Sequence, residues 1–219
     1  KYRDVFVTNH NNYNGGIIYL TFDDGPSEDV TPFILDILKE EKIRATFFVT
    51  DKKEELNYLI KREQKEGHTV ALHTATHNYS YLYSSPEAYF EDLKTVSEKV
   101  KRITKKEAKI IRFPGGSSNT VSKKYYPGIM TYLTSEVSLR GYKYYDWNID
   151  SEDATRRVDE NKVYENVVSH LKPNRENIIL MHDFSANEPT KNALRRIIQY
   201  GKENGYIFAP ITENTNEIH

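Results

Sequence analysis

The chain has 219 residues, enough for one sizeable hydrophobic core, so a single domain over residues 1–219 is expected. Lys+Arg 31 against Asp+Glu 32 gives a formal net charge of -1, which leaves no electrostatic footprint for nucleic acid or an anionic membrane. With Cys 0 there is neither a disulfide framework nor a thiolate metal site, and any transition metal must be held by His and carboxylate.

Residues 1–16, with Asn9-His10-Asn11-Asn12 and Gly15-Gly16, read as a polar lead-in ending in a turn. The apolar run Ile17, Ile18, Tyr19 and Leu20 predicts a strand over 17–22 that stops at Asp23-Asp24-Gly25-Pro26. Residues 30–39 carry helical apolar spacing, with Thr31 as the expected cap and Pro32 at the first helical position. A buried strand over 44–49 and a charged helix over 54–66, ended by Gly67, come next. A short strand over 69–72 delivers His73, and residues 86–104 form a long amphipathic helix with Phe90, Leu93, Val96, Val100 and Ile103 on one stripe. The alternation continues with a strand at 109–112, a Gly-rich loop at 114–118, a helix at 129–140 and a strand at 143–147. A charged loop at 150–157, a helix at 162–171, a strand at 178–181, a helix at 190–204 and a last strand at 206–208 complete the chain. About seven strands alternating with helices predict parallel strands joined by crossover helices, the pattern of an α/β barrel.

Asp23-Asp24, His73, Arg112, the 146–153 region and His182-Asp183 each fall just past the C-terminal end of a predicted strand. In a barrel of parallel strands that is one face, so they form one candidate site. Neighbouring residues at a strand end point in different directions, which lets Asp23 and Asp24 take different jobs. His73 and His77 are four apart, so on a helical turn they share a face and chelate one ion; adding Asp24 gives a two-His, one-carboxylate set with positions left open for water. His182 at another strand end is placed to donate a proton to a leaving group. Arg112 needs a carboxylate partner in space, and Asp23 is the natural candidate. Gly115-Gly116 offers bare backbone N–H groups suited to an oxyanion hole. The other histidines, His10, His68, His170 and His219, follow no strand end and read as structural or solvated.

The stretches Thr21-Phe22-Asp23-Asp24-Gly25-Pro26, His73-Thr74-Ala75-Thr76-His77, Arg112-Phe113-Pro114-Gly115-Gly116, Asp150-Ser151-Glu152-Asp153 and Leu180-Met181-His182-Asp183 occur in this order. They resemble the five motifs of the polysaccharide deacetylase family, carbohydrate esterase family four, and the resemblance spans residues 17–208. It implies a distorted, TIM-barrel-like (β/α) barrel and hydrolysis of N-acetyl groups from amino-sugar polymers. In that resemblance Asp23 matches the catalytic base, Arg112 the residue that orients it, His182 the general acid and Asp153 the carboxylate that tunes the acid. Asp24, His73 and His77 match the ligands of one divalent metal ion, Zn2+ first, with Co2+, Ni2+ or Mn2+ as alternatives. Leu180 matches the residue lining the acetyl methyl pocket. Two places depart from the family pattern. Gly115 stands where a Tyr is usual, so the oxyanion would depend on the backbone N–H. Ala154 stands where a Trp is usual, leaving Trp147, Tyr125 or Tyr126 to supply that wall of the substrate groove.

The implied partner is an N-acetylated glycan, with bacterial peptidoglycan ahead of chito-oligosaccharide or O-acetylated xylan, and a catalytically inert glycan-binding barrel as the alternative of another class. Aromatic residues at 12% suit stacking on sugar faces. No apolar run approaches the roughly 18 residues of a membrane span, and the start Lys1-Tyr2-Arg3 is not a signal peptide. The expectation is a monomer working outside the cell or at the cell wall, its targeting segment absent from this sequence.

Overall fold

The computed structural model describes residues 15–219; the expected lead-in through Asn14, with His10, lies outside the described residues. Strand β1 (Ile17–Asp23) is the central element, paired in parallel along its whole length with β7 (Glu176–His182). Its other edge is shared, with β2 (Thr46–Thr50) taking Thr21 to Asp23 and β8 (Ile207–Phe208) taking Ile17 and Ile18. From β2 the sheet continues through β3 (Thr69–Thr74) and β4 (Ile110–Ile111) to β5 (Lys143–Tyr144), and from β7 to β6 (Ile149–Asp150). Every pairing is parallel, as the alternation of strands and helices predicts.

The two-residue β6 was not anticipated, and β5 is shorter than the aromatic run 143–147 predicts. One arrangement accounts for both. β5 and β6 lie at opposite edges of the sheet, and the segment 145–148 crosses between them. Its backbone groups are used singly: the Tyr145 N–H bonds Ile111 O, the Asp146 N–H bonds Ile218 O and the Asn148 N–H bonds Ile178 O. The carbonyls of Tyr145 and Asp146 accept from the Arg112 side chain rather than from a neighbouring strand. The sheet therefore curls into a distorted barrel in which this segment stands in for a missing ladder.

Period-two alternation sorts the strand residues. Ile18, Leu20, Phe22, Phe47, Val49, Leu72, Ile111, Ile179 and Met181 belong to the large core that packs beneath the helices. Tyr19, Phe48, Ala71, Ile110, Ile178 and Tyr145 form a second, smaller cluster inside the barrel. Continuing the inward alternation toward the C-terminal strand ends leads from Tyr19 to Thr21 and Asp23, from Ala71 to His73, from Ile110 to Arg112, and from Ile178 to Leu180 and His182. The barrel interior is thus apolar at one end and carries the site at the other.

The helices α1 (Thr31–Glu40), α2 (Asn57–Lys65), α4 (Pro86–Thr104), α5 (Ile129–Leu139), α6 (Glu160–Val168) and α7 (Glu188–Glu203) match the predicted set with shifted ends. A 3-10 turn at Glu54–Leu56 precedes α2, and a single turn α3 (Tyr79–Leu82) follows His77. Thr31 is not the cap of α1. Ser27 does that work, its Oγ accepting from the N–H of Val30 and Thr31, while buried Thr31 spends its hydroxyl on Asp183. No helix among the described residues is long and apolar enough to cross a membrane.

Candidate active site

Asp23 ends β1, buried, with its Oδ1 2.8 Å from Arg112 Nη1. The guanidinium is fully buried and spends four of its five N–H groups, Nη1 on Asp23 and also on Thr21 Oγ1 at 2.7 Å, Nε on Tyr145 O at 2.9 Å and Nη2 on Asp146 O at 2.9 Å. It lies over the Phe48 ring at 4.1 Å. Five fixed donors suit Arg to this place, because each bond locks the fork that positions Asp23.

Asp24 adopts φ 75, outside the strand and in the left-handed region, which turns its carboxylate away from that of Asp23. The cis Gly25-Pro26 peptide follows, and the Gly25 carbonyl accepts from both the N–H and hydroxyl of Thr50 at the end of β2. Only glycine fits at 25, since a Cβ there would stand 2.0 Å from Asp183 Oδ2. Asp183 itself is buried and bonded by Thr31 rather than capping a helix; burial raises its pKa to about 7 against that bond, and the charges of Asp24 and Asp23 push the same way.

Asp24 Oδ1 is 3.4 Å from His73 Nε2 and 3.2 Å from His77 Nε2, yet it is buried without a hydrogen-bond partner. The His73 Nδ1 is 2.9 Å from Arg112 O, and since a carbonyl only accepts, that nitrogen carries the proton. The Nε2 lone pair of His73 thus converges with an orphaned carboxylate oxygen and the second imidazole. Three ligand atoms within 4.8 Å of one another fit a cation of the kind His and carboxylate hold. The two histidines do not meet on a helical turn. His73 belongs to β3, and the chain bends through Thr74-Ala75-Thr76 into a left-handed His77, φ 51. Asp92 of α4 builds that bend, accepting from the Thr74 hydroxyl, the Ala75 N–H and both the N–H and hydroxyl of Thr76. Sequence reasoning passed over Asp92; the only signal was a lone carboxylate on the apolar stripe of α4.

His182, ending β7, pairs through Nδ1 with Asp153 Oδ1 at 2.7 Å. Asp153 is buried and also accepts from the His182 N–H, Asn187 Nδ2 and the Thr190 hydroxyl, so Asn187 and Thr190 are two further positioning residues that the sequence did not single out. Burial alone would depress the His182 pKa, but the hydrogen bond and charge of Asp153, with the charges of Asp23 and Asp24, outweigh it and lift the pKa to about 9. Burial opposes the same bond on the Asp153 side, and the partners win, holding its carboxyl below the usual range. Leu180 lies two residues before His182 on β7, buried on the inward face.

The Gly-rich loop completes the face. Gly115 has φ 78, and its N–H is taken by no acceptor among the described residues, whereas Gly116 N–H bonds Phe113 O and Ser117 N–H bonds Asp146 Oδ1. Trp147 packs against Gly116, a Cβ at which would meet its ring at 3.3 Å. Tyr125 and Tyr126 are exposed beyond a 3-10 turn, and Ala154 is exposed after Asp153. The structure therefore gathers Asp23, Asp24, His73, His77, Arg112, Asp153, Leu180 and His182 at one end of the barrel, with Gly115 and Trp147 on the adjoining loops.

Comparison with known proteins bears on this geometry. The sequence profile described as polysaccharide deacetylase matches residues 10–127. The chain belongs to the polysaccharide deacetylase family. Among its relatives, a putative polysaccharide deacetylase, YheN, from Bacillus subtilis is 34% identical over 210 residues, covering 92% of this chain and 69% of the relative. A peptidoglycan-N-acetylglucosamine deacetylase from Bacillus cereus is 34% identical over 206 residues, covering 91% and 71%. Among solved structures, the catalytic domain of peptidoglycan N-acetylglucosamine deacetylase from Eubacterium rectale superposes with a TM-score of 0.89 at 45% identity, covering 95% of this chain and 94% of that one. The polysaccharide deacetylase Bc1974 from Bacillus cereus gives a TM-score of 0.78 at 34% identity, covering 91% and 94%. The distorted parallel barrel of this chain is thus shared with proteins named polysaccharide deacetylase and peptidoglycan N-acetylglucosamine deacetylase.

Proposed function

We propose that this deacetylase is a metal-dependent hydrolase that removes the N-acetyl group from N-acetylglucosamine units of bacterial peptidoglycan. The carrying observation is the convergence, at one strand-end face, of an Arg-held carboxylate, a three-ligand cluster with an orphaned oxygen, and a histidine raised to about 9 by its carboxylate partner. The peptidoglycan assignment rests on the names carried by the similar proteins from Bacillus cereus and Eubacterium rectale.

An amide needs an activated nucleophile and protonation of a poor amine leaving group. A divalent cation held by Asp24, His73 and His77, zinc being the first choice for such a donor set, supplies Lewis acidity toward the attacking water and the acetyl carbonyl. Asp23, fixed by Arg112, accepts the water's proton. The free Gly115 N–H donates to the carbonyl oxygen as negative charge builds on it. His182 keeps Nδ1–H on Asp153, so Nε2 is the nitrogen that delivers a proton to the departing amine. Leu180 lines the space for the acetyl methyl group, and Trp147 walls the sugar-binding side. One chain supplies every one of these groups, so a monomer is a complete unit, and the substrate places its work at the cell wall.

Acetate release from N-acetylated chito-oligomers, peptidoglycan fragments and O-acetylated xylan, each with and without chelator, tests this reading. Chelator-sensitive release from the N-acetylated glycans is expected. Release from xylan alone would make the protein an O-acetyl esterase, and no release from any of them would make it a binding module.

A further inference from the structure

The hydroxyl of Tyr79 lies against the Gly-rich loop and spends itself on no partner among the described residues. Tyr79 opens the single turn α3, two residues after His77, and the preceding Asn78 fixes that turn by accepting from the Ser80 and Tyr81 N–H groups. Its ring is clamped edge-on from two sides, by the His77 imidazole at 5.6 Å and by the Tyr83 ring at 5.6 Å. Tyr83 is fully buried and donates its own hydroxyl to Pro114 O at 2.7 Å, so the clamp is anchored to the Gly-rich loop. The tip of Tyr79 therefore has little freedom.

That tip lies against Gly115. A Cβ built on Gly115 would be 2.9 Å from Tyr79 Oη and 3.4 Å from Tyr79 Cε1. The hydroxyl thus fills the space that a side chain at 115 would claim, next to the backbone N–H that no acceptor takes. Burial, and after it the charges of Asp24 and Asp23, raise its pKa, so the hydroxyl keeps its proton. Tyr81, Tyr83 and Tyr145 give their hydroxyls to Glu91, Pro114 O and Thr215 O, and the unpartnered Tyr89 hydroxyl is sealed in the core rather than set against the Gly-rich loop. The Tyr79 hydroxyl has no hydrogen bond among the described residues. A half-buried donor, rigidly held and unspent beside a bare N–H, is what a site needs where charge develops during reaction.

We propose that the Tyr79 hydroxyl is a second hydrogen-bond donor to the acetyl oxygen, working with the Gly115 N–H as that oxygen gains negative charge. The inference rests on the deacetylase reading above. The phenol donates a hydrogen bond and keeps its proton; the proton for the leaving amine still comes from His182. Glycine at 115 then has two causes, the φ of 78 and the room required by the phenol.

Steady-state kinetics of Tyr79→Phe on N-acetylated chito-oligomers tests the assignment, with cation content and the thermal midpoint measured on the same samples. The variant keeps the ring and its contacts with His77 and Tyr83 and loses only the donor. We expect kcat to fall roughly 10- to 100-fold, at or below the low end of the range for removal of one oxyanion donor, with KM, cation content and midpoint near those of the parent. Unchanged kcat overturns the proposal, as does a rise in KM alone, which would make the hydroxyl a sugar contact. A fall in kcat that tracks loss of the cation also overturns it, assigning Tyr79 to the support of His77. An active parent with an equally active variant sinks only the Tyr79 role, whereas an inactive parent sinks the deacetylase reading and this role with it.

Discussion

His182 is pulled in opposite directions by its desolvated position and by Asp153, and the carboxylate prevails. Because its folded pKa of about 9 lies above the ordinary 6.5, the pair contributes its stability in full below pH 6.5 and loses it as pH rises through about 9. Asp153 has the complementary sign: its carboxyl lies below 3.8, so its contribution is present above that value and lost as pH falls through the folded pKa. A divalent cation beside Asp24 opposes the carboxylate charges and lowers the His182 value, so the metal-free protein is the sample to titrate. NMR titration of that sample should place His182 near pH 9, and Asp153→Asn should bring it down by at least one unit. A wild-type value at or below 6.5 would contradict the pairing as the cause. His182→Ala should keep the cation and lower turnover roughly a hundredfold or more. The paired roles of Asp23 and Asp24 were legible from their adjacency at a strand end. The left-handed φ of Asp24 that separates them was not, since Asp tolerates both conformations and the turn is held by partners distant in sequence, Thr50 and Asp183.

At the scale of elements, the His73–His77 bend depends on α4, a helix whose Asp92 is remote in sequence from neither histidine yet invisible as a partner. Asp92 binds the hydroxyls and N–H groups of the 74–76 bend, so Asp92→Ala leaves buried donors unsatisfied and frees His77. We expect isothermal titration calorimetry to show Zn2+ affinity falling about 10- to 100-fold, the usual scale for losing a group that orients ligands. Unchanged affinity would mean that the strand alone places the histidines. The spacing of four suggested a helical turn because period arguments assume continuous local structure, and here a strand end and a bend give the same proximity. The apolar runs of β1 and β2 and the amphipathic helices α4 and α7 were readable because each pattern is continuous over the whole element. β6, α3 and the end of β5 were not, because two- to four-residue elements are decided by tertiary partners such as the Arg112 side chain.

For the whole molecule, Arg112 ties β1, β4 and the crossing segment 145–148 together at the one place where the barrel lacks a ladder. Removing a partner from a buried ion pair costs about 3–5 kcal/mol, so Arg112→Met should lower the thermal midpoint by roughly 10 °C in a chain of this size. A midpoint within 2 °C or so of the parent, on the same scale, would show that the segment is held by its backbone bonds alone. The converse lever is the proposed cation: one that bound only the folded arrangement of Asp24, His73 and His77 would, at about 100 times its Kd, add about 2.7 kcal/mol of stability. The most direct test of the central claim is mass spectrometry of peptidoglycan fragments after incubation with zinc-loaded protein, run beside a chelated sample and Asp24→Asn. The account predicts loss of acetyl groups from N-acetylglucosamine with the loaded protein and intact fragments in the other two. Intact fragments with the loaded protein, or equal deacetylation by Asp24→Asn, would contradict it.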